Sequence, residues 1–304
     1  MGTREWRLFV QAAVLTVVVT LTACWPVQDT RQEDKPPAAD QKRLPKVGIA
    51  LGGGGARGFA EIGVLRVLEQ EKIPIDLVIG TSVGSLIGAI YADTGRVLDA
   101  EFIAIAIREE DIFDYSAFSI FSGGFVKGEK LEAFLNTHLS SKRIENMKIP
   151  YGAVAVDLRT GQSVLLERGP VARAVHASCA IPGVFVPVTI GGRVFVDGGV
   201  TDPIPVDFAR RKGAEVVIAV VIDPAIPSRA PENPLEIAYH AVTIMSSEIG
   251  VLGVKDADVV IRPEIGNVAY NDFSQKKRLM EAGEKAAREQ LPNIRAAMEA
   301  KTGH

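Results

Sequence analysis

Short apolar runs alternate with segments of helical periodicity along the chain from Lys46 onward. Between the runs KVGIALG and LVIG, apolar residues recur near helical spacing from Ala60 to Glu71, and a second helical segment after LVIG ends at Gly95. The run AEVVIAVVI is rich in β-branched residues without polar alternation, which is typical of a strand buried on both faces. The pattern predicts an α/β fold with a mostly parallel central sheet flanked by helices on both faces.

The remaining pattern predicts four more strands, one more short helix, a closing helix and one irregular segment. Phe273 to Ala300 predicts an amphipathic helix that is interrupted near Pro292. Phe113 to Gly128, FDYSAFSIFSGGFVKG, is rich in aromatic residues and glycine and breaks the alternation, so we expect a lid or a loop that contacts substrate. The further strands are YGAVAVDL, QSVLLE, VFVDGG and DADVVIRPE, and VDFARRKG is a helix.

The N-terminus has the pattern of a targeting segment. Two arginines precede an apolar run, and its end, Leu21-Thr22-Ala23-Cys24, resembles the lipobox of bacterial lipoproteins. Residues 1–23 are therefore predicted to be a lipoprotein signal peptide, with Cys24 carrying the lipid. An ordinary signal peptide or an uncleaved anchor is the alternative, although about 17 residues are few for a membrane span.

Residues 24–45 are polar, contain proline and lack an apolar period, which predicts a flexible tether. This leaves 46–304 as the folded domain. Trp25 stands where aspartate would favour retention in the inner membrane of some bacteria. We therefore expect a lipid anchor on the periplasmic side of a bacterial membrane, with the outer membrane favoured.

Composition narrows the possible partners. The chain has 304 residues, 47% of them hydrophobic, with a net charge of −3 and no basic block, so we expect a sizeable core and no nucleic-acid partner. If Cys24 holds lipid, Cys179 cannot form an intramolecular disulfide, and we expect it to be a buried apolar residue. No metal site is predicted, because no paired ligand spacing links the four histidines His138, His176, His240 and His304.

The glycine run after the first strand formally matches a dinucleotide fingerprint, since Gly53 to Gly58 read G-x-G-x-x-G. That motif needs an acidic residue at the end of the next strand, whereas Asp76 stands at its start. No Gly-Lys-Ser/Thr follows, which excludes a phosphate-binding P-loop. No cofactor is predicted, and two readings remain: glycines that only permit packing, or glycines that bring N–H donors to a substrate.

The next loop favours the second reading. Gly80 to Gly84, with Ser82 at the centre, match G-x-S-x-G, the nucleophile elbow. Loops after adjacent parallel strands share one crevice, so the N–H groups of Gly53, Gly54 and Gly55 are expected to face the ester carbonyl that Ser82 attacks.

A general base must come from further along the chain. Asp197 ends a predicted strand and is followed by two glycines, although an Asp-Gly pair alone is more typical of a turn. Asp202-Pro203 is interpreted as a turn or cap. A carboxylate base predicts a pH profile with an acid limb near about pH 5, against about 6.5 for histidine.

GGGGARG, GTSVG and DGG in this order resemble the patatin-like phospholipase family, and the resemblance extends over about Lys46 to Glu289. It implies a lipid acyl hydrolase with a Ser-Asp dyad, acting on lipid or phospholipid. Ser82 would be the nucleophile, Asp197 the base, and Gly53, Gly54, Gly55 and Arg57 the oxyanion side. Arg57 would stabilise the loop or engage a lipid phosphate.

One position departs from the family pattern. Bacterial members commonly carry histidine where this chain has Glu61. We expect a negative charge there, which weakens oxyanion stabilisation or alters substrate choice.

Two other functions stay open at this point. One is an α/β-hydrolase with a Ser82-Asp197-His240 triad, although more elements normally separate its glycine loop from its nucleophile. His240 lies in a predicted helix, where a half-buried structural histidine is expected. The other is a catalytically silent lipoprotein that binds lipid or a protein partner.

Overall fold

The computed structural model describes residues 43–115, 126–223 and 234–302. The predicted signal peptide, Cys24, most of the tether and residues 116–125 of the predicted lid lie outside the described residues. Within the described ranges the chain forms one sheet of eight strands. They are β1 (Val47–Leu51), β2 (Leu77–Thr81), β3 (Tyr151–Asp157), β4 (Ser163–Leu166), β5 (Val188–Ile190), β6 (Arg193–Asp197), β7 (Val216–Val220) and β8 (Val259–Ile261).

Helices separate most of these strands, as the hydrophobic pattern predicts. Short 3-10 turns lie at Gly55–Gly58, Ile144–Asn146, Gly198–Val200 and Phe273–Gln275. The α-helices are α1 (Phe59–Gln70), α2 (Val83–Thr94), α3 (Val97–Ala106), α4 (Glu109–Ile112), α5 (Glu129–His138), α6 (Val171–Ser178), α7 (Val206–Arg211), α8 (Pro234–Gly253) and α9 (Lys276–Lys301).

The sheet is mostly parallel and buried on both faces, which confirms the predicted fold class. Its strand order is β5-β6-β3-β2-β1-β7-β8, with β4 paired to β3, and only the pairs that involve β4, β5 or β6 are antiparallel. Side chains alternate along β1: Val47, Ile49 and Leu51 join one hydrophobic core, whereas Ala50 joins the other. Helices α1, α2, α6 and α9 contribute to the first core and α7 to the second.

Strand β3 brings two strands end to end. β4 pairs with one edge of β3 along Ala153–Val156, so β2 and β6 both use the opposite edge. β2 runs parallel to β3 and ends at Thr81, opposite Val154, while β6 runs antiparallel and ends at Asp197, opposite Ala155. The carboxyl ends of β2 and β6 therefore meet at adjacent residues of β3.

The closing helix differs from its prediction, because α9 continues through Pro292 without an interruption. Proline removes one backbone hydrogen bond from a helix. The buried face of α9 nevertheless extends on both sides of Pro292, from Leu279 to Ile294. Glycines let α9 approach α1 closely, since a Cβ at Gly63 would overlap the backbone of Met280. This packing outweighs the missing bond.

A carboxyl group, that of Glu61, lies fully buried in α1. Glu61 has no solvent exposure, and neither carboxyl oxygen has a hydrogen-bond partner among the described residues. Burial raises its pKa well above the usual range, and the nearby backbone of Gly52 offsets this rise only in part. The raised pKa favours the neutral carboxyl of Glu61 over the negative charge expected from the sequence.

Glu61→Gln is expected to remove a pH-dependent loss of stability. The unfolded chain ionises Glu61 near its ordinary pKa of about 4.3, whereas the folded chain ionises it only at a much higher pH. Between these pKa values the unfolded state binds fewer protons, so the wild-type free energy of unfolding falls by about 1.4 kcal/mol per pH unit relative to Glu61→Gln. Urea denaturation at pH 5 and pH 8 measures this difference.

The exposed Glu299 in α9 supplies the matched control, since Glu299→Gln should follow the wild type at both pH values. A Glu61→Gln minus wild-type difference that stays flat with pH would contradict a buried neutral carboxyl.

Candidate active site

Ser82 lies in the sharp turn between β2 and α2, as the nucleophile-elbow motif predicts. Its backbone has φ 54° and ψ −126°, a conformation that residues with side chains rarely adopt. The glycines on either side are required by close approach. A Cβ at Gly80 would overlap the backbone of Gly84, and a Cβ at Gly84 would overlap the backbone of Leu51. The turn therefore projects the Ser82 side chain from the carboxyl end of the sheet.

The meeting of β2 and β6 joins Ser82 directly to Asp197. The Ser82 Oγ–H donates to Asp197 Oδ2 at 2.7 Å, and the Gly199 N–H donates to Asp197 Oδ1 at 2.7 Å. The exposed fraction is 7% for Ser82 and 5% for Asp197. Burial raises the pKa of Asp197 to about 6, and the two hydrogen bonds partly offset this rise. A hydroxyl thus faces a carboxylate with no imidazole between them.

A second serine, which the sequence analysis missed, positions the first. The Ser178 hydroxyl accepts from the Ser82 N–H at 2.9 Å and donates to Val154 O at 2.6 Å. Two residues further on, the carbonyl of Ala180 accepts from the Asp197 N–H at 2.9 Å. The stretch HASCAIPG therefore holds both members of the pair.

The glycine loop differs in part from its prediction. The Gly53 N–H donates to Pro203 O at 3.0 Å, so this amide is not open to a substrate. A Cβ at Gly53 would lie 3.4 Å from the Ser82 Cβ, which places the Gly53 backbone against Ser82. Among the described residues, nothing accepts a hydrogen bond from the N–H groups of Gly54 or Gly55. Of the three glycine N–H groups, those of Gly54 and Gly55 therefore remain available as hydrogen-bond donors.

Arg57 fixes the peptide between those donors. Its side chain is 4% exposed, and its Nε–H donates to Gly54 O at 2.8 Å. The C=O and N–H of a trans peptide point in opposite directions, so holding the Gly54 carbonyl also sets the direction of the Gly55 N–H. Gly55 has φ 60°, and a Cβ there would lie 2.5 Å from Tyr270 O. Only glycine fits this position, and Arg57 acts through the loop.

Two cavities meet at Ser82. The first has a volume of about 850 Å³, including the space at its opening to solvent. It is lined by Ser82, Asp197 and the glycine loop, by polar side chains of α8, and by Asp223 and Arg262. The second has a volume of about 540 Å³ on the same measure and is predominantly apolar. Its apolar lining includes Phe59, Leu86, Ile87, Ile107, Ile112, Phe113, Leu131, Phe185 and Phe273.

The other predicted residues lie in structural positions. His240 is half-buried in α8 and does not line either cavity. His176 is buried, with Nδ1 2.6 Å from Glu132 Oε1, and joins α6 to α5. Cys179 is buried beside the second cavity, and burial raises the pKa of its thiol far above the usual range. Asp202 lies in a turn, where its carbonyl accepts from the Thr81 hydroxyl at 2.9 Å.

Several curated relatives resemble the chain. It is 37% identical over 179 residues to an uncharacterized NTE family protein of Mycobacterium tuberculosis, which covers 59% of this chain and 49% of that protein. A second uncharacterized NTE family protein of the same organism is 28% identical over 275 residues, covering 81% and 46%. Lysophospholipase NTE1 of Debaryomyces hansenii is 32% identical over 195 residues, covering 62% and 12%. The chain spans at most about half the length of these relatives.

Two solved structures also align with most of the chain. VipD from Legionella pneumophila has a TM-score of 0.49 at 14% identity, covering 84% of this chain and 67% of that one. The type III effector protein ExoU has a TM-score of 0.45 at 13% identity, covering 84% and 54%. A family model described as patatin-like phospholipase matches residues 49–210, which contain the glycine loop, Ser82 and Asp197. Because this match spans more than half of the sequence, the chain belongs to the patatin-like phospholipase family.

Proposed function

We propose that the protein is a serine acyl hydrolase of phospholipase A or lysophospholipase type, which cleaves fatty-acyl esters of lipids. The observation that carries the proposal is the direct 2.7 Å hydrogen bond from Ser82 Oγ to Asp197 Oδ2 at the mouth of an apolar cavity. Family membership and the similarity to a protein named lysophospholipase support a lipid ester as the substrate.

Acylation consists of one nucleophilic attack and two proton transfers. Ser82 Oγ attacks the ester carbonyl carbon while Asp197 Oδ2 takes the hydroxyl proton. The carbonyl oxygen becomes an oxyanion, and the N–H groups of Gly54 and Gly55 donate to it. Each such donor contributes about 3 kcal/mol to lowering a barrier of this kind. When the carbon–oxygen bond breaks, Asp197 returns the proton to the departing alkoxide, and the acyl group stays on Ser82.

Deacylation repeats these steps with water. Asp197 takes a proton from a water molecule, the water oxygen attacks the acyl carbon, and the same donors hold the second oxyanion. Collapse breaks the bond to Ser82 Oγ, which regains the proton. The products are a fatty acid and the free enzyme.

The pKa of Asp197 suits this role. At about 6 it leaves the carboxylate ionised at neutral pH, yet makes it a stronger base than an ordinary aspartate. Burial is what raises the pKa, because it penalises the charged form. The buried site thus supplies a usable base without histidine.

The apolar cavity is suited to the acyl chain. It shares Ser82 and Gly55 with the first cavity, which also holds polar and charged side chains, so an ester at Ser82 can place its chain on one side and its alcohol on the other. Burying apolar surface contributes about 0.8 kcal/mol per methylene. This supports long-chain esters over short ones.

Asp197→Asn tests the dyad against a Ser-Asp-His triad. We expect kcat to fall to near the level of Ser82→Ala, because an amide cannot accept the serine proton, whereas His240→Ala keeps most activity. The measurement is kcat on a long-chain monoacyl ester for purified, folded variants. If His240→Ala were as inactive as Ser82→Ala, the triad would replace the dyad.

The pH profile gives the same test a second readout. The raised pKa of Asp197 moves the expected acid limb from about pH 5 to about pH 6, with activity lost as the pH falls through it and Asp197 becomes protonated. This limb lies close to that of histidine, so its position alone does not identify the base. The temperature dependence of the limb does identify the base. A carboxyl group ionises with almost no enthalpy change, whereas the ionisation of an imidazolium has a substantial enthalpy change. A limb that shifts strongly on warming would contradict the carboxylate.

We further propose that lipid on Cys24 anchors the protein to the periplasmic side of a bacterial membrane, with the outer membrane favoured. No helix within the described ranges is long and apolar enough to cross a bilayer. The described chain begins at the amino end of β1, where Arg43 pairs with Glu215 at 2.6 Å, opposite the end that carries Ser82. Fully extended, the 19 residues before Arg43, 24–42, would span at most roughly 65 Å between the lipid and this end of the sheet.

Cys24→Ser is expected to abolish lipid labelling and membrane recovery while leaving the activity of the folded domain intact, because anchor and chemistry lie in separate segments. Cells fed a radiolabelled fatty acid are fractionated, and the label on the protein is measured. Cys179→Ser is the matched control and should stay labelled. An unlabelled wild type would contradict the lipoprotein proposal.

A further inference from the structure

The first cavity carries an ion pair whose two side chains are both partly exposed to solvent. Arg262 Nη1 lies 2.7 Å from Asp223 Oδ1, and their side chains are 40% and 58% exposed. Both residues line the cavity that contains Ser82 and Asp197. The mechanism above uses neither of them.

The pair lies beside the glycine loop. Asp223 follows β7 closely and Arg262 follows β8 directly, so both stand at the carboxyl ends of parallel strands. Ile222 packs against Gly54, where a Cβ would lie 2.5 Å from the Ile222 Cγ2. Arg57 Nη1 donates to the Asp223 carbonyl at 3.5 Å. A ligand with its ester at Ser82 therefore has its polar end directed along the loop toward this pair.

The other charged side chains of the cavity, Arg57 and Asp197, have hydrogen bonds within the site. Arg57 holds the Gly54 carbonyl, and Asp197 accepts from Ser82 and Gly199. Arg262 and Asp223 instead form a half-exposed pair, and such pairs contribute little to stability. An incoming group can therefore separate them at small cost. Arginine binds phosphate oxygens with two parallel hydrogen bonds, which makes it a strong competitor for the carboxylate.

Two adjacent opposite charges match a zwitterion. A phosphodiester that carries an ammonium group can place its phosphate on Arg262 and its ammonium on Asp223. An anionic head group without an ammonium is repelled by Asp223, and an uncharged head group gains from neither residue. Ser82 is 7% exposed, whereas Arg262 and Asp223 are 40% and 58% exposed, so the charged head group lies at the more exposed end of the cavity.

We infer that Asp223 and Arg262 form a head-group site for zwitterionic glycerophospholipids, phosphocholine or phosphoethanolamine esters. This rests on the proposed acyl hydrolase activity and names its substrate class. Both residues determine specificity, and neither takes part in the acyl transfer.

The test compares four monoacyl lipids with the same acyl chain: lysophosphatidylcholine, lysophosphatidylethanolamine, lysophosphatidylglycerol and monoacylglycerol. The full chain in mixed micelles supplies kcat/KM for each. The wild type is expected to prefer both zwitterionic lipids. Arg262→Ala is expected to lower their kcat/KM relative to monoacylglycerol by about tenfold. Asp223→Asn is expected to lower it relative to lysophosphatidylglycerol by about the same factor, because the repulsion is removed.

Arg143→Ala is the matched control, since Arg143 pairs with Glu145 at 2.7 Å outside both cavities, and it should leave all four ratios at the wild-type values. A wild type that prefers lysophosphatidylglycerol or monoacylglycerol, or two variants with wild-type ratios, would overturn the head-group site while leaving the hydrolase intact. A folded wild type that cleaves none of the four lipids would contradict the lysophospholipase activity and the head-group site together.

Discussion

The candidate active site depends on one hydrogen-bonded edge of β3. β2 and β6 run in opposite directions along this edge and end at adjacent residues, Val154 and Ala155. Because the backbone pairing fixes both ends, Ser82 and Asp197 meet at 2.7 Å without a third residue to bridge them. The hydroxyl of Ser178 links the Ser82 N–H to the carbonyl of Val154, so the same edge also orients the strained elbow.

Burial then gives this geometry its chemistry. A carboxylate removed from water becomes a better base, which is why the pKa of Asp197 rises to about 6. The glycine loop supplies donors where side chains could not fit, and buried Arg57 holds the loop in place from behind. Burial raises the pKa of Glu61, which favours its neutral form and so adds no negative charge beside the oxyanion of the proposed mechanism. In that mechanism the site acts as a low-dielectric pocket whose few polar groups are already oriented.

The sequence predicted those features of the fold and the site that depend on residues close together in the chain. The alternation of apolar runs, glycines and helical segments identified the sheet. The motif G-x-S-x-G identified the elbow, because a strained turn needs small residues at fixed spacing. What it missed depends on partners distant in the chain. The Gly53 N–H donates to Pro203 O, and burial raises the pKa of Glu61. The Ser178 hydroxyl can orient Ser82 only because it also donates to the carbonyl of Val154 in β3. α9 passes through Pro292 because packing on α1 supports it.

Fluorophosphonate labelling of the purified full chain, followed by peptide mass spectrometry, tests the Ser82–Asp197 pair most directly. The probe reacts with an activated serine to give a stable tetrahedral adduct, so its site reports which hydroxyl is nucleophilic. A functional dyad predicts one adduct, on Ser82, that forms far more slowly in Asp197→Asn. No adduct in the folded wild type, or an adduct on another residue, would contradict it.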